Sequence, residues 1–176
     1  GWSPSKRNNP YANSGIVVGF DLKDFEPYKQ FGALAGLEFQ KQLERNAWMH
    51  GGKTQTAPAQ RLQDFLNNKL SSSLPDCSYQ PGIKSVMMKE VLGNLIANSL
   101  QQGFKAFGNK MRGYITNDAL IVGVESRTST PVRIPRDKET LQHPQLVNLF
   151  PCGEGAGFAG GIVSAAIDGE RCAEAK

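Results

Sequence analysis

The run Pro151-Cys152-Gly153-Glu154-Gly155-Ala156-Gly157-Phe158-Ala159-Gly160-Gly161 holds five glycines within nine residues, and the small-residue segment Ile162-Val163-Ser164-Ala165-Ala166 follows at once. Glycine lets backbone approach a ligand closely and take up positive φ. A helix start adds unpaired N–H groups and the positive end of a dipole. Together they suit an anionic or carbonyl-bearing cofactor. Glu154 fits either of two roles, accepting hydrogen bonds from a ribose or ribityl hydroxyl or pairing with a cation. Ser164, Ala165, Ala166 and Gly169 keep one helix face small enough to press on a neighbour or on a flat ligand.

Gly155-Ala156-Gly157-Phe158-Ala159-Gly160 spells G-x-G-x-x-G, which alone is a weak signal. A dinucleotide fingerprint also needs a second parallel strand carrying an acid about 20 residues on. The sequence stops at Lys176, so a complete unit of that kind is not expected here. The plain alternative is a glycine turn that only permits tight helix–sheet packing.

A second constellation is Glu125-Ser126-Arg127-Thr128-Ser129-Thr130-Pro131-Val132-Arg133-Ile134. Arg127 and Arg133 are candidates for clamping a carboxylate or phosphate of a substrate. Either is equally suited to pair with Glu125 and fix the loop. A third polar cluster, Ser3 to Gly15, offers Arg7, Asn13 and Ser14. No Ser-His-Asp or Cys-His arrangement and no spaced carboxylate pair stands out. Chemistry on this chain is therefore expected from a cofactor.

Net charge is +4, apolar residues make up 39% and charged residues 20%, the profile of a globular chain without a strong electrostatic partner. Lys105, Lys110 and Arg112 read as a solvated face, so no nucleic-acid partner is expected. No apolar run approaches the roughly 20 residues that span a bilayer, so no membrane association is expected. Cys77, Cys152 and Cys172 are odd in number and far apart, which fits a reducing cytoplasm better than a disulfide framework. His50 and His143 lack partners at metal-ligand spacing and read as surface or loop residues. The chain opens Gly1-Trp2-Ser3 without Met, and it is expected to be a segment of something longer.

These groups need elements to hold them. Gly15 to Phe20 reads as a buried strand and Asp21 to Tyr28 as a loop. Residues 30–48 read as a helix, with Ala35, Phe39, Leu43 and Ala47 at every fourth position. Pro58 is expected to open a second helix carrying Leu62, Phe65 and Leu66. Ser71-Ser72-Ser73 with Pro75 marks a flexible crossing, and Pro81-Gly82 a turn. A third helix over 88–107 shows Leu92, Leu95, Ile96, Leu100, Phe104 and Phe107 on one wide face. Further strands are expected at Ala119 to Val124, Pro131 to Ile134 and Leu146 to Phe150, and a closing helix from Gly160 to Ala175. Strand, helices, strands, helix is an α+β order: a mixed sheet with an inserted helical region.

Three stretches resemble a known family, the uncharacterised bacterial FAD-dependent dehydrogenases, within the flavoproteins of glutathione-reductase-like architecture. They are Pro10-Tyr11-Ala12-Asn13-Ser14-Gly15-Ile16-Val17-Val18, then Gly123 through Ile134, then Pro151 through Gly161 continuing to Gly169. Ala57-Pro58-Ala59-Gln60 and Asp64-Phe65 resemble it as well. The resemblance implies a discontinuous FAD domain whose N-terminal ADP-binding unit lies outside this chain and is its partner in the same polypeptide. It implies that Gly153, Glu154, Gly155, Ala156, Gly157, Gly160 and Gly161 face the flavin or its linker. By the same token residues 1–20 flank the FAD domain, 21–146 form the substrate side and cap for an unidentified small molecule, and 147–176 return to the flavin. The segment alone is then expected to be inactive and not to retain FAD. The competing reading is a non-enzymatic assembly domain whose helices offer a partner surface.

Overall fold

The structure is a computed structural model that describes residues 8–175; the candidate Arg7 lies outside them. The chain divides into two compact units. One combines the segment before Asp21 with Gln42–Val124, and the other combines Asp21–Lys41 with the segment from Glu125 onward.

The first unit is an α+β body around a three-stranded mixed sheet. Strand β1 (Ala57–Arg61) pairs parallel with β2 (Ile83–Ser85) and antiparallel with β3 (Leu120–Val122). Helices α2 (Leu62–Leu66) and α3 (Met88–Lys110) are inserted between those strands, as the sequence order implies. Pro58 does not open a helix; it sits in the central strand. The Ala57 N–H donates to the Gly82 carbonyl at 2.9 Å, and the Ala59 carbonyl accepts from Val86 at 3.0 Å, both on the β2 side. The Pro58 nitrogen therefore faces β3, where its carbonyl takes the Gly123 N–H at 3.2 Å. Its missing N–H costs one ladder bond near the start of the strand.

The core of this unit gathers Ala59, Leu62, Phe65, Val86, Met88, Val91, Ile96, Ala97 and Phe104. Phe65 meets Phe104 edge-on at 6.2 Å, and Phe104 stacks with Tyr114 at 6.4 Å. Gln60, 1% exposed, is satisfied on both sides of its amide: Nε2 donates to the Lys69 carbonyl at 2.6 Å and Oε1 accepts the Met88 N–H at 2.9 Å. Helix α3 breaks at Gly93 (φ 77°). The break turns its later residues away from one continuous stripe, which is why Leu95 is 50% exposed while Ile96 and Ala97 are buried.

Two further expectations are corrected here. Gly15 to Phe20 belongs to no strand ladder among the described residues, and Val17 is 68% exposed; a β-branched run makes a strand only beside a partner strand. The helix expected over 30–48 starts later, as α1 (Ala35–His50).

In the second unit the supposed loop after Asp21 is a 3-10 segment, Leu22–Leu34, broken at Gly32 (φ 53°) ahead of α1. Phe25 and Tyr28 bring their rings to within 5.7 and 5.6 Å of Phe39. Pro131 to Ile134 and Leu146 to Phe150 are not strands. The first runs beside the glycine run with one hydrogen bond, Ile134 N–H to the Ala156 carbonyl at 3.1 Å. The second forms turns and a single bridge between His143 and Leu146. The closing helix, α4, spans Ile162–Glu174. Among the described residues no helix is long and apolar enough to cross a membrane.

Candidate functional site

In the second unit the two constellations singled out from the sequence come together. A Cβ at Gly157 would lie 2.8 Å from the Val132 carbonyl oxygen and 3.1 Å from the Arg133 Cα. A side chain there would clash, and the φ of 83° is one that residues other than glycine rarely adopt. The Arg133 and Arg136 guanidinium carbons lie 4.4 and 3.7 Å from the Phe158 ring centroid, within cation–π range.

The loop closes on itself through Gly157 N–H to the Glu154 carbonyl at 2.9 Å and Phe158 N–H to the Gly153 carbonyl at 3.0 Å. Gly153 (φ 68°) donates its own N–H to Asp168 Oδ2 at 2.8 Å. Ala156 is 5% exposed and its carbonyl is taken by Ile134, so its role in the loop is packing. Gly161 precedes the first turn of α4 and exchanges hydrogen bonds with the Ser164 hydroxyl at 3.1 and 2.9 Å.

Gly155 and Gly160 differ from Gly157. A Cβ on either would meet nothing within 4 Å, and neither has positive φ. Their N–H groups have no acceptor among the described residues. The Glu154 carboxylate likewise has no hydrogen-bond or ion-pair partner among them. The exposed Arg133 guanidinium is also without an ion pair there. With the first-turn N–H groups of α4, these make a donor set suited to phosphate or carbonyl oxygens, with one carboxylate acceptor for hydroxyls. Arg127 stands elsewhere in the stretch. It, Glu125 and Ser126 are each already engaged, and Ser126 offers its carbonyl to Gln40 Nε2 at 2.6 Å.

The loop is held by a group that sequence reasoning missed. Arg136 forms a two-pronged pair with Asp168, both contacts at 3.0 Å, and also donates to the Pro151 carbonyl at 3.0 Å. Both side chains are nearly buried, 11% and 12% exposed. The Arg136 hydrogen bonds, aided by the Gly153 N–H, hold the Asp168 carboxyl below its usual range. The same pairing raises Arg136 further. Burial pushes the neighbouring Cys172 thiol up. Asp168 sits one turn before Cys172 on α4, and an acid on the same helix side as a buried cysteine was the one local signal. Arg136, 32 residues away in sequence, gave none.

Neither of two cavities is lined by residues of the loop. One, of about 280 Å³, is lined by Leu22, Phe25, Ala33 and Pro131, and its Lys29 is paired with Glu26 at 2.6 Å. The other, of about 490 Å³ in the first unit, is lined by Arg61, Asp64, Lys69 and Asn117, and Arg61 spends its donors on Ser73 and Asn117. No group of three metal-ligating side chains occurs among the described residues.

Residues 1–128 match the family model described as FAD-dependent protein, C-terminal domain-like. The match covers the first unit's sheet and helices and stops before the glycine loop. An uncharacterized protein of Clostridium beijerinckii (strain ATCC 51743 / NCIMB 8052) is 40% identical over 176 residues, covering 99% of this chain and 32% of that protein. The chain thus spans about a third of the relative's length.

Proposed function

The chain belongs to the FAD-dependent protein, C-terminal domain-like family, and from that premise we propose that it is the substrate-side, C-terminal part of a flavin-dependent oxidoreductase. The cofactor is FAD, held mainly by an N-terminal portion of the same polypeptide. When bound, FAD supplies the hydride or electron transfer. The residues of this chain position and bind. The N–H groups of Gly155 and Gly160 and the first turn of α4 donate to flavin or linker oxygens. Glu154 accepts from a hydroxyl. Arg133, fixed over Phe158, attracts an anionic group of the cofactor or of a small-molecule substrate.

The observation that carries this reading is the pair of open glycines. Gly157 is explained by packing against Val132 and Arg133, but nothing in the protein requires glycine at 155 or 160. A ligand lying close against the loop backbone would. The fit is also good in charge, since the site combines several N–H donors, a guanidinium and a single carboxylate. The assembly-domain reading draws less support, because Phe39, Phe104 and Phe107 all pack against other rings.

The intact gene product that contains this segment is expected to purify yellow, with the two visible absorption bands of a bound flavin. A colourless product that takes up no added FAD contradicts the proposal. The 176-residue segment by itself is expected to leave flavin fluorescence unchanged at micromolar concentration.

A further inference from the structure

The polar cavity of about 490 Å³ is lined by residues of the first unit alone, and the flavin reading makes no use of it. Its volume falls in the range of small-molecule pockets. None of its eight lining residues is apolar, so it offers little to a hydrophobic ligand. Its walls are fixed by the main chain. Helix α2 ends in a left-handed turn at Asn68 (φ 51°), and there the Lys69 N–H donates to the Asp64 carbonyl at 2.8 Å. Arg61 ties two further wall segments together, donating from Nε to the Ser73 carbonyl at 2.7 Å and from Nη1 to the Asn117 carbonyl.

The charges on these walls are not matched within the protein. Asp64 and Lys69 line the same cavity and their main chains are bonded to each other. Yet the carboxylate and the ammonium form no ion pair or hydrogen bond, either together or with any other described residue. Arg61 meets carbonyl and hydroxyl oxygens and no carboxylate. The cavity therefore presents a free carboxylate, a free ammonium and an unbalanced guanidinium. Opposite charges that share a cavity but do not reach each other are bridged by a molecule that carries both signs, through charge-assisted hydrogen bonds at each end.

We propose that this cavity binds a small zwitterion of amino-acid type, with its ammonium on Asp64 and its carboxylate on Lys69 in the field of Arg61. Gln63, Ser72 and Asn117 leave amide and hydroxyl groups for a polar side chain of the ligand. Other ligand classes fit less well. An inorganic anion would lie beside the Asp64 carboxylate without a cation of its own to offset it. A metal ion would find a single carboxylate, and no group of three metal-ligating side chains occurs among the described residues.

Calorimetric titration of the intact gene product with free L-amino acids tests this. At least one is expected to bind with a Kd of about 1 mM or tighter. Removing either charge of that amino acid, by N-acetylation or by conversion of its carboxylate to an amide, is expected to weaken binding at least about tenfold. Asp64→Asn and Lys69→Met are expected to do the same to the unmodified amino acid. Their unfolding midpoints are expected to stay at the wild-type value, since neither charged group has a partner in the protein. Absence of binding by every amino acid at about 10 mM overturns the proposal. So does binding that survives either chemical block, binding unchanged in either variant, or binding of inorganic phosphate in the amino acids' stead. Should a variant fail to fold, the two blocked ligands decide the matter on the wild type. The titration reads no flavin signal, so its outcome is independent of whether FAD binds.

Discussion

At the scale of single residues the loop depends on Arg136 and Asp168 as much as on its glycines. The guanidinium ties the Pro151 carbonyl, the Phe158 ring and the Asp168 carboxylate together, and Asp168 in turn holds the Gly153 N–H. Removing the carboxylate leaves a nearly buried cation unpaired. Asp168→Ala is therefore expected to destabilise the second unit by roughly 3 kcal/mol, read from denaturant unfolding, and to loosen the Gly153 amide in hydrogen exchange. The carboxyl is held below its ordinary value of 3.8, so its contribution is complete above that pH. It is lost as pH falls through the lowered value, because the unfolded chain takes up its proton first. Cys172 acts at the other end: its raised thiol keeps its contribution below its ordinary 9.0 and loses it as pH rises through the raised value. A stability–pH profile of the wild type is expected to show both limbs, and Asp168→Ala to flatten the acid one. At Gly157 the constraint is steric, and Gly157→Ala is expected to cost about 1–3 kcal/mol through positive φ and the clash with Val132.

At the scale of elements, the helices were far more legible than the strands. The α4 sequence, the heart of α1 and most of α3 announce themselves by apolar spacing, which survives because a helix makes its own hydrogen bonds. Strand β1, Ala57-Pro58-Ala59-Gln60-Arg61, has no β-branched or aromatic residue and contains a proline. It is a strand because β2 and β3 flank it, and no local pattern records that. The reverse error fell on Gly15 to Phe20 and on Pro131 to Ile134, which have strand-like composition but no ladder. Gly93 made the α3 face deceptive in the same way, since one positive φ rotated Leu95 out of the stripe. In the candidate site, the glycines and Arg133 were visible as types and spacing, while the Arg136–Asp168 clamp was hidden because its members meet only after folding. The packing that makes β1 central also predicts where stability resides. Phe65 is 1% exposed and sits edge-on to Phe104. Phe65→Ala is expected to cost about 3–5 kcal/mol in denaturant unfolding, and a loss below about 1 kcal/mol counts against the described core.

At the scale of the whole molecule, the two units are unequal. The first has a sheet and a core, and the family match through residue 128 takes in all of it together with Asp21–Lys41 of the second. The second has the glycine loop, the arginines and a helix, α4, whose Ile162 and Val163 are exposed. The relative of Clostridium beijerinckii is about three times as long as the region it shares with this chain. The account stands on the loop amides meeting a flavin held by another part of the polypeptide. An FAD titration of the intact gene product, wild type against Gly155→Ala, tests it most directly. A methyl group at 155 meets no protein atom, so folding stability is expected to stay within about 0.5 kcal/mol while FAD affinity falls at least tenfold. Unchanged affinity in a fully folded Gly155→Ala protein would contradict the account.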